Sequence, residues 1–163
     1  LNNQLALRSR LGLRNSAHSL VKMLDPFKGE GLLLTAATHP DYLDTMREVF
    51  SALGTHALLL RGTEGEPFAN PKRRPRIEYL HDGANDILFE AEHDSLKRLP
   101  NLPETCDAKT TAGWMRRVLS GEAVLPPPIA NQLACCLYAS GYADDFNQAK
   151  AIVAVDGSGL SVG

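Results

Sequence analysis

Two short apolar runs separated by an amphipathic segment form the clearest pattern in the chain. The first run, residues 32–37, predicts a fully buried strand, and the second, residues 56–60, predicts another. Between them we predict a helix that begins at Thr38 and ends at Gly54. Its apolar side chains recur at helical spacing, at Leu43, Met46, Val49, Phe50 and Leu53. Strand, helix and strand within about thirty residues predict a right-handed, parallel βαβ unit.

The same reasoning predicts the remaining elements, although residues 1–10 have no clear period and residues 91–108 are typical of a connecting loop. We expect a hairpin of strands near 77–80 and 86–90, and helices over 15–24, 110–119, 129–140 and 144–155. The last three helices are expected to pack as one layer, with Trp114 and Leu133 buried. The predicted fold class is α/β, with a mainly parallel sheet flanked by helices.

Composition is that of an ordinary globular protein of 163 residues, with 44% hydrophobic and 22% charged residues, enough for one domain with a core. No stretch reaches the ~20 apolar residues of a membrane helix, and no secretory signal is visible. Cys106, Cys135 and Cys136 have neither zinc-site nor disulfide-framework spacing. We therefore expect a cytoplasmic protein without a membrane partner.

Charge is unevenly distributed along the chain, although the formal net charge is only −2. Residues 1–76 contain eleven Lys and Arg against seven Asp and Glu, whereas residues 77–163 contain six against twelve. Such asymmetry is typical of one basic face, and an uneven scatter of solvated charges is the alternative.

The densest positive charge lies in residues 61–76, called the basic loop below. Pro71 and Pro75 restrict a backbone that carries the cations Arg61, Lys72, Arg73, Arg74 and Arg76. An extended loop spaces alternate side chains by ~6.5–7 Å, close to the phosphate repeat along one nucleic-acid strand. The loop therefore predicts contact with a phosphate backbone, and a solvated loop tip without a partner is the alternative. The candidate nucleic-acid-binding set is completed by cations from the first elements, Arg8, Arg10, Arg14 and Lys22.

No catalytic constellation is visible. The five histidines are scattered, with no HExxH motif and no pair at i, i+4, and no GxSxG elbow occurs. Asp144 and Asp145 open a predicted helix, where carboxylates favour the helix dipole. We predict no catalytic residue, no metal ligand and no cofactor.

The run LGLRNSAHSLVKMLDP, residues 11–26, resembles the LGxRTxFNxLGPLxNP motif of anthranilate phosphoribosyltransferases and their thymidine-phosphorylase relatives. VLSGE at 118–122 and NQLACCLY at 131–138 are also similar to that family, and the resemblance covers nearly all of the chain. It implies that residues 1–163 are part of the α/β domain, the catalytic-domain half of a nucleoside phosphorylase/phosphoribosyltransferase-like fold. The family's N-terminal helical domain and its GTGGD glycine loop have no counterpart in this sequence.

The departures from the family concern its metal site. Where the enzymes have HGxDGLDE, this sequence has RGTEGEPF at 61–68, so the Asp-Glu pair that holds magnesium falls on Glu66-Pro67 or Pro67-Phe68. One carboxylate beside a proline is a poor divalent site. Arg8 and Arg14 lie where the enzymes have arginines near the aromatic acceptor. With KRRPR following, the sequence resembles the YbiB branch of the superfamily, which implies DNA binding without transferase activity.

The leading hypothesis is a non-catalytic protein that binds nucleic acid, DNA rather than RNA, largely without regard to sequence. One alternative is a glycosyl- or phosphoribosyltransferase related to anthranilate phosphoribosyltransferase, with altered metal and acceptor sites. Another is an interaction domain whose basic loop meets an acidic protein. The resemblance also implies a homodimer for the full-length protein.

Overall fold

The computed structural model describes residues 2–13, 15–25, 31–64, 66–95, 102–103 and 105–156. A four-stranded sheet with helices on both faces forms the body. The elements in chain order are α1 (Asn2–Leu11), α2 (Ala17–Leu20), a 3-10 turn (Val21–Met23), β1 (Leu33–Ala37), α3 (Pro40–Leu53), β2 (Ala57–Arg61), β3 (Ile77–His81), β4 (Ala84–Phe89), α4 (Ala108–Leu119), α5 (Pro127–Ala139) and α6 (Phe146–Asp156). No helix among these residues is long and apolar enough to cross a membrane.

The sheet order follows the chain, β1-β2-β3-β4. β1 and β2 pair in parallel, as the βαβ pattern predicts, with Thr35 opposite Leu59. β3 returns antiparallel to β2, and β4 is antiparallel to β3. The α/β class is confirmed, but the prediction of a mainly parallel sheet is wrong. The physical reason is that the basic loop reverses the chain without the crossover helix that another parallel strand would need.

Each sheet face packs against a different helix because side chains alternate along the strands. Leu58 and Leu60 pack towards α5, where they meet the buried Cys135. Ala57 and Leu59 pack towards α3, against Phe50 and its neighbours. The second strand is therefore buried on both faces, as its unbroken apolar run predicts.

Helix α3 begins at Pro40 and ends at Gly54, whose φ of 62° lies in the left-handed region that favours glycine. Its predicted buried stripe is correct at Met46 and Phe50, whereas Leu53 is exposed. At the other end of the chain, the Asp107 side chain accepts from the Thr110 backbone N–H and caps α4.

The final helices differ from their predicted arrangement. Helix α5 packs on α6 and on the sheet, but α4 makes no substantial contact with any other named element of the described chain. The single-layer prediction is therefore wrong. Leu133 is 38% exposed and Trp114 is half-buried, so the predicted burial of Leu133 is also wrong. Helix α1, over residues with no apolar period, has no buried residue.

Candidate nucleic-acid interface

A cleft of about 700 Å³ lies where β1 and β2 end. Thr38 is the first residue after β1. Arg61 is the last residue of β2, and the lining continues from it through Glu64 on the same rim. The first turns of α3 form one wall, and the second half of the basic loop forms the opposite wall. The carboxyl edge of parallel strands is a common position for a ligand site in open α/β sheets.

Arginines from three elements converge on this cleft. They are Arg47, Arg61, Arg73, Arg74 and Arg76, and the carboxylates that also line it are Asp44, Glu64, Glu78 and Glu92. Arg61 is the last residue of β2 and the first of the basic loop, the last three come from the second half of that loop, and Arg47 comes from α3. The structure therefore brings four of the predicted cations together and adds one that the sequence reasoning missed.

Arg47 is held on the cleft wall by a buried carboxylate on β3. Its Nε donates to Glu78 Oε2 at 2.8 Å and its Nη2 donates to Glu78 Oε1 at 2.9 Å. Arg47 Nη1 also donates to Asp44 at 2.6 Å, and Asn85 Nδ2 donates to Glu78 Oε2 at 2.8 Å. The Glu78 side chain is only 5% exposed, whereas the Arg47 side chain is 30% exposed, so the carboxylate of this bidentate pair is the partner that is removed from water.

These contacts set the protonation of both partners. Burial raises the pKa of Glu78, but hydrogen bonds from Arg47 and Asn85 and the charges of Arg47 and Arg76 outweigh burial, so the pKa is lowered overall. The hydrogen bond to Glu78 is the largest influence on the pKa of Arg47, which is raised. Both groups are therefore ionised at neutral pH, and much of the Arg47 charge is neutralised locally.

Arg74 is fixed by the segment after β4. Its guanidinium lies 4.7 Å from the centre of the Phe89 ring, and its Nε donates to the Glu90 carbonyl at 3.2 Å. Its backbone N–H donates to Glu92 Oε2 at 2.8 Å. Arg76 lies 3.5 Å from Glu78 Oε1 and is partly exposed. Arg74 and Arg76 therefore have a structural role as well as a place in the cleft.

The remaining cations of the basic loop are available to a ligand. Arg61, Lys72 and Arg73 are exposed, and none of them forms a salt bridge with another described residue. Arg61 and Arg73 line the cleft, whereas Lys72 lies outside its lining. Two arginines that form no salt bridge with another described residue therefore line this space, and Lys72 precedes one of them in the sequence.

The backbone of the basic loop is held against the body at two places. Gly62 packs so closely on β1 that an added Cβ would lie 2.7 Å from the Ala36 side chain and would clash with the Glu66 carbonyl oxygen. Farther along, the buried Gln132 of α5 accepts from the Ala69 backbone N–H at 2.6 Å and donates to the Pro67 carbonyl at 2.8 Å. The loop is therefore positioned by packing and by a buried amide.

The predicted site residues of the first elements that the structure describes do not line the cleft. Arg8 and Arg10 are exposed on α1 and do not line it. Arg14 lies outside the described residues. Lys22 lines a neighbouring cavity, where its Nζ donates to the Ala36 carbonyl at 3.2 Å. Of the described cations from the first elements, Lys22 is the one that lines a space next to the cleft.

The carboxylates of the RGTEGEPF segment do not share one space. Glu64, with a left-handed φ of 53°, lines the main cleft, while Glu66 lines a separate cavity beside Lys22 and Thr35. A divalent cation needs several oxygens around one point. The geometry of these two residues does not fit a magnesium site of the kind that the family resemblance implies.

Sequence reasoning missed Arg47 and Glu78 for different reasons. Arg47 lies in a helix whose nearby carboxylates, Asp44 and Glu48, indicate a solvated face, and Glu78 has the pattern of an exposed position on a half-exposed strand. The signal in the sequence was strand alternation, which places Glu78 on the sheet face opposite Ile77. The packed structure is needed to show that α3 covers that face, where a buried carboxylate needs a cation.

Comparison with known proteins gives two consistent results, while no family model matches the chain. The chain is 43% identical over 144 residues to the uncharacterized protein YbiB of Escherichia coli K12, covering 88% of this chain and 44% of YbiB. The chain is related to YbiB. Among solved structures, it is similar to anthranilate phosphoribosyltransferase (TrpD) of Thermus thermophilus, with a TM-score of 0.62 and 25% identity.

The similarity to the TrpD structure covers 95% of this chain and 47% of that protein. The YbiB-like and TrpD-like relationship expected from residues 11–26 and 118–138 is therefore confirmed, over the C-terminal part of those proteins. The chain spans less than half the length of either relative.

Proposed function

We propose that this chain provides a non-catalytic, largely sequence-independent surface for nucleic acid on a phosphoribosyltransferase-like fold. The observation that carries the proposal is the cleft at the sheet edge, in which Arg61 and Arg73 are exposed and form no salt bridge with other described residues. DNA is the proposed ligand in preference to RNA. A cytoplasmic location and a homodimer of the full-length protein remain predictions.

The balance of charges in the cleft favours a polyanion. Glu78 and Asp44 compensate Arg47, and Glu92 compensates Arg74. Arg61, Arg73 and the adjacent Lys72 remain to attract phosphates, opposed within the cleft lining by Glu64. Binding of phosphates by Lys and Arg releases counterions, which supplies affinity without reading bases. This arrangement accounts for binding that depends on salt and little on sequence.

The experiment is a comparison of two triple variants. Replacement of Arg61, Lys72 and Arg73 with Ala should weaken binding to unrelated DNA sequences alike. The slope of log affinity against log salt should become less steep by up to ~0.9 per lost phosphate contact on duplex DNA. The matched control replaces Lys109, Arg116 and Arg117 of α4, which removes the same charge away from the cleft.

The control variant should bind like the unmodified chain, apart from a small loss from net charge. Arg74 and Arg76 are left unchanged because their replacement would also remove contacts to Glu92 and Glu78. A loss of binding could then not be distinguished from a loss of folding. The proposal would be contradicted if the triple variant folds and binds DNA with the same affinity and the same salt dependence as the unmodified chain. Binding of heparin but not of DNA would favour an acidic protein partner instead.

The likeness to a solved anthranilate phosphoribosyltransferase supports a transferase as the second candidate. Its test is incubation of the full-length protein with phosphoribosyl diphosphate, magnesium and candidate amines. Because Glu64 and Glu66 face different cavities, we expect no turnover and no tight magnesium site. Turnover that is abolished by Glu66→Gln would establish the enzyme and contradict the non-catalytic proposal.

A further inference from the structure

An exposed tyrosine, Tyr42, lines a second cavity that adjoins the basic cleft. This cavity, of about 390 Å³, is lined by residues that include Tyr42, Lys22 and His18. It shares Thr38 with the basic cleft, so the two spaces meet where β1 leads into α3. Tyr42 is 54% exposed although it is a large ring on a folded helix.

The first turns of α3 separate the two spaces. Leu43, Asp44 and Arg47 line the basic cleft, whereas Tyr42 and Met46 line the second cavity. The His39 ring meets the Tyr42 ring edge-on, with 6.4 Å between their centroids. An aromatic surface and a row of arginines thus lie on the two sides of one helix turn, although they are distant in the sequence.

We propose that the ligand of the cleft is single-stranded nucleic acid, with phosphates at Arg61 and Arg73 and an unpaired base stacked on Tyr42. This inference rests on the proposed function and names the ligand class for the same site. Stacking on an aromatic ring needs an accessible base face, which a single strand offers and a continuous duplex does not. Stacking also tolerates any base, because every base has a π-face.

The dimensions of the two spaces agree with this ligand. Cavities of about 390 and 700 Å³ fall within the ~300–1,000 Å³ range of small-molecule sites. Each space is large enough for a nucleotide-sized group, and the two spaces share Thr38 in their linings. Lys22 also lines the tyrosine cavity and adds a cation there.

The test measures binding of single-stranded and duplex oligonucleotides of one sequence and length by fluorescence anisotropy. Tyr42→Ala should lower single-strand affinity by about 5- to 100-fold, the effect of losing one base–aromatic stack. Duplex affinity should stay within about twofold, since no ring contact is lost there. Tyr42→Phe and Tyr42→Trp should retain single-strand binding, because both keep a ring.

Tyr142→Ala is the matched control, since Tyr142 is 72% exposed and lines neither space. It should leave both affinities unchanged. Unaltered single-strand binding by Tyr42→Ala would overturn the inference, while a defect in the Arg61, Lys72 and Arg73 variant would still support the proposed function. Equal losses on both ligands, or a loss in Tyr42→Phe as large as in Tyr42→Ala, would also overturn it. Failure of the unmodified chain to bind either ligand would overturn both proposals.

Discussion

At the scale of single residues, the buried Glu78 is the group on which the wall of the cleft depends. It receives two hydrogen bonds from Arg47 and one from Asn85, and Arg76 lies 3.5 Å away. Removing one partner of such a pair leaves a charge with too few hydrogen bonds in a poorly hydrated place. Glu78 should therefore contribute to stability even though it is not expected to touch a ligand.

Glu78→Gln should lower the free energy of unfolding by about 1–3 kcal/mol at pH 7, since it removes hydrogen bonds to a charged acceptor. The pKa of Glu78 is lowered on folding from its ordinary value of 4.5, so the ionised form is the one that stabilises the fold. That contribution is present above pH 4.5 and is lost as pH falls through the lower folded pKa. Urea unfolding at several pH values measures the difference between the variant and the unmodified chain.

This difference should shrink below pH 4.5, where the protonated Glu78 of the unmodified chain resembles glutamine. Asp44→Asn is the control, because Asp44 also bonds Arg47 but its side chain is 66% exposed. An exposed pair contributes at most about 1 kcal/mol. This account of the pair would be contradicted if Glu78→Gln and the unmodified chain had the same free energy of unfolding at pH 7, or if their difference did not change with pH.

At the scale of elements, the basic loop is the segment that the fold must hold in place. Gly62 lets it turn against β1, and Gln132 of α5 bonds the backbone of Pro67 and Ala69. The loop both reverses the chain, which makes β3 antiparallel to β2, and carries Arg73 to the cleft. The basic loop therefore determines both the antiparallel pairing of β3 with β2 and the position of Arg73 in the cleft.

Gly62→Ala should destabilise the chain by about 1–3 kcal/mol, the usual effect of overpacking a well-packed site. The added Cβ cannot fit without moving the backbone at Glu66 or the side chain of Ala36. Thermal unfolding measures the change. Gly113→Ala is the matched control, because nothing lies within 4 Å of its Cβ position and Ala is favoured within a helix by about 0.5–1 kcal/mol.

Gly62→Ala should also weaken DNA binding by displacing the basic loop, whereas Gly113→Ala should leave it unchanged. Stability of Gly62→Ala equal to that of the unmodified chain would mean that the close approach to β1 is unimportant.

Sequence patterns predicted elements well where burial is continuous. Residues 57–60 of the predicted strand 56–60 are buried, whereas His56 is partly exposed, and Phe50 lies on the predicted core side of α3. Prediction failed where the outcome depends on distant parts of the chain. Glu78 is buried because α3 and Arg47 cover it, and neither its own strand nor its neighbours in sequence specify that partner.

The candidate site was predictable in part for the same reason. The density of cations in the basic loop marked it as a candidate site, and four of these cations, Arg61, Arg73, Arg74 and Arg76, line one cleft. The sequence could not separate Arg73, which is exposed, from Arg74, which is held by Phe89 and Glu92. Tyr42 was also not associated with the site, because only the packing of α3 beside β1 brings it there.

At the scale of the whole molecule, a formal net charge of −2 coexists with a cleft whose lining includes five arginines and four carboxylates. The relationship to YbiB and to anthranilate phosphoribosyltransferase applies to a chain that spans less than half of either protein. The binding proposal thus concerns a local surface, and the activity of the longer proteins is a separate question. Locally concentrated charge can attract a polyanion even when the net charge is negative.

The most direct test of the central claim is a salt titration of binding between the unmodified chain and two unrelated single-stranded DNA sequences of equal length. Log affinity should fall linearly with log salt, with a slope of about −2 if Arg61, Lys72 and Arg73 each meet one phosphate at ~0.7 per contact. The two sequences should give equal slopes and affinities within a few fold. No binding at low salt, or affinity that is independent of salt, would contradict the account.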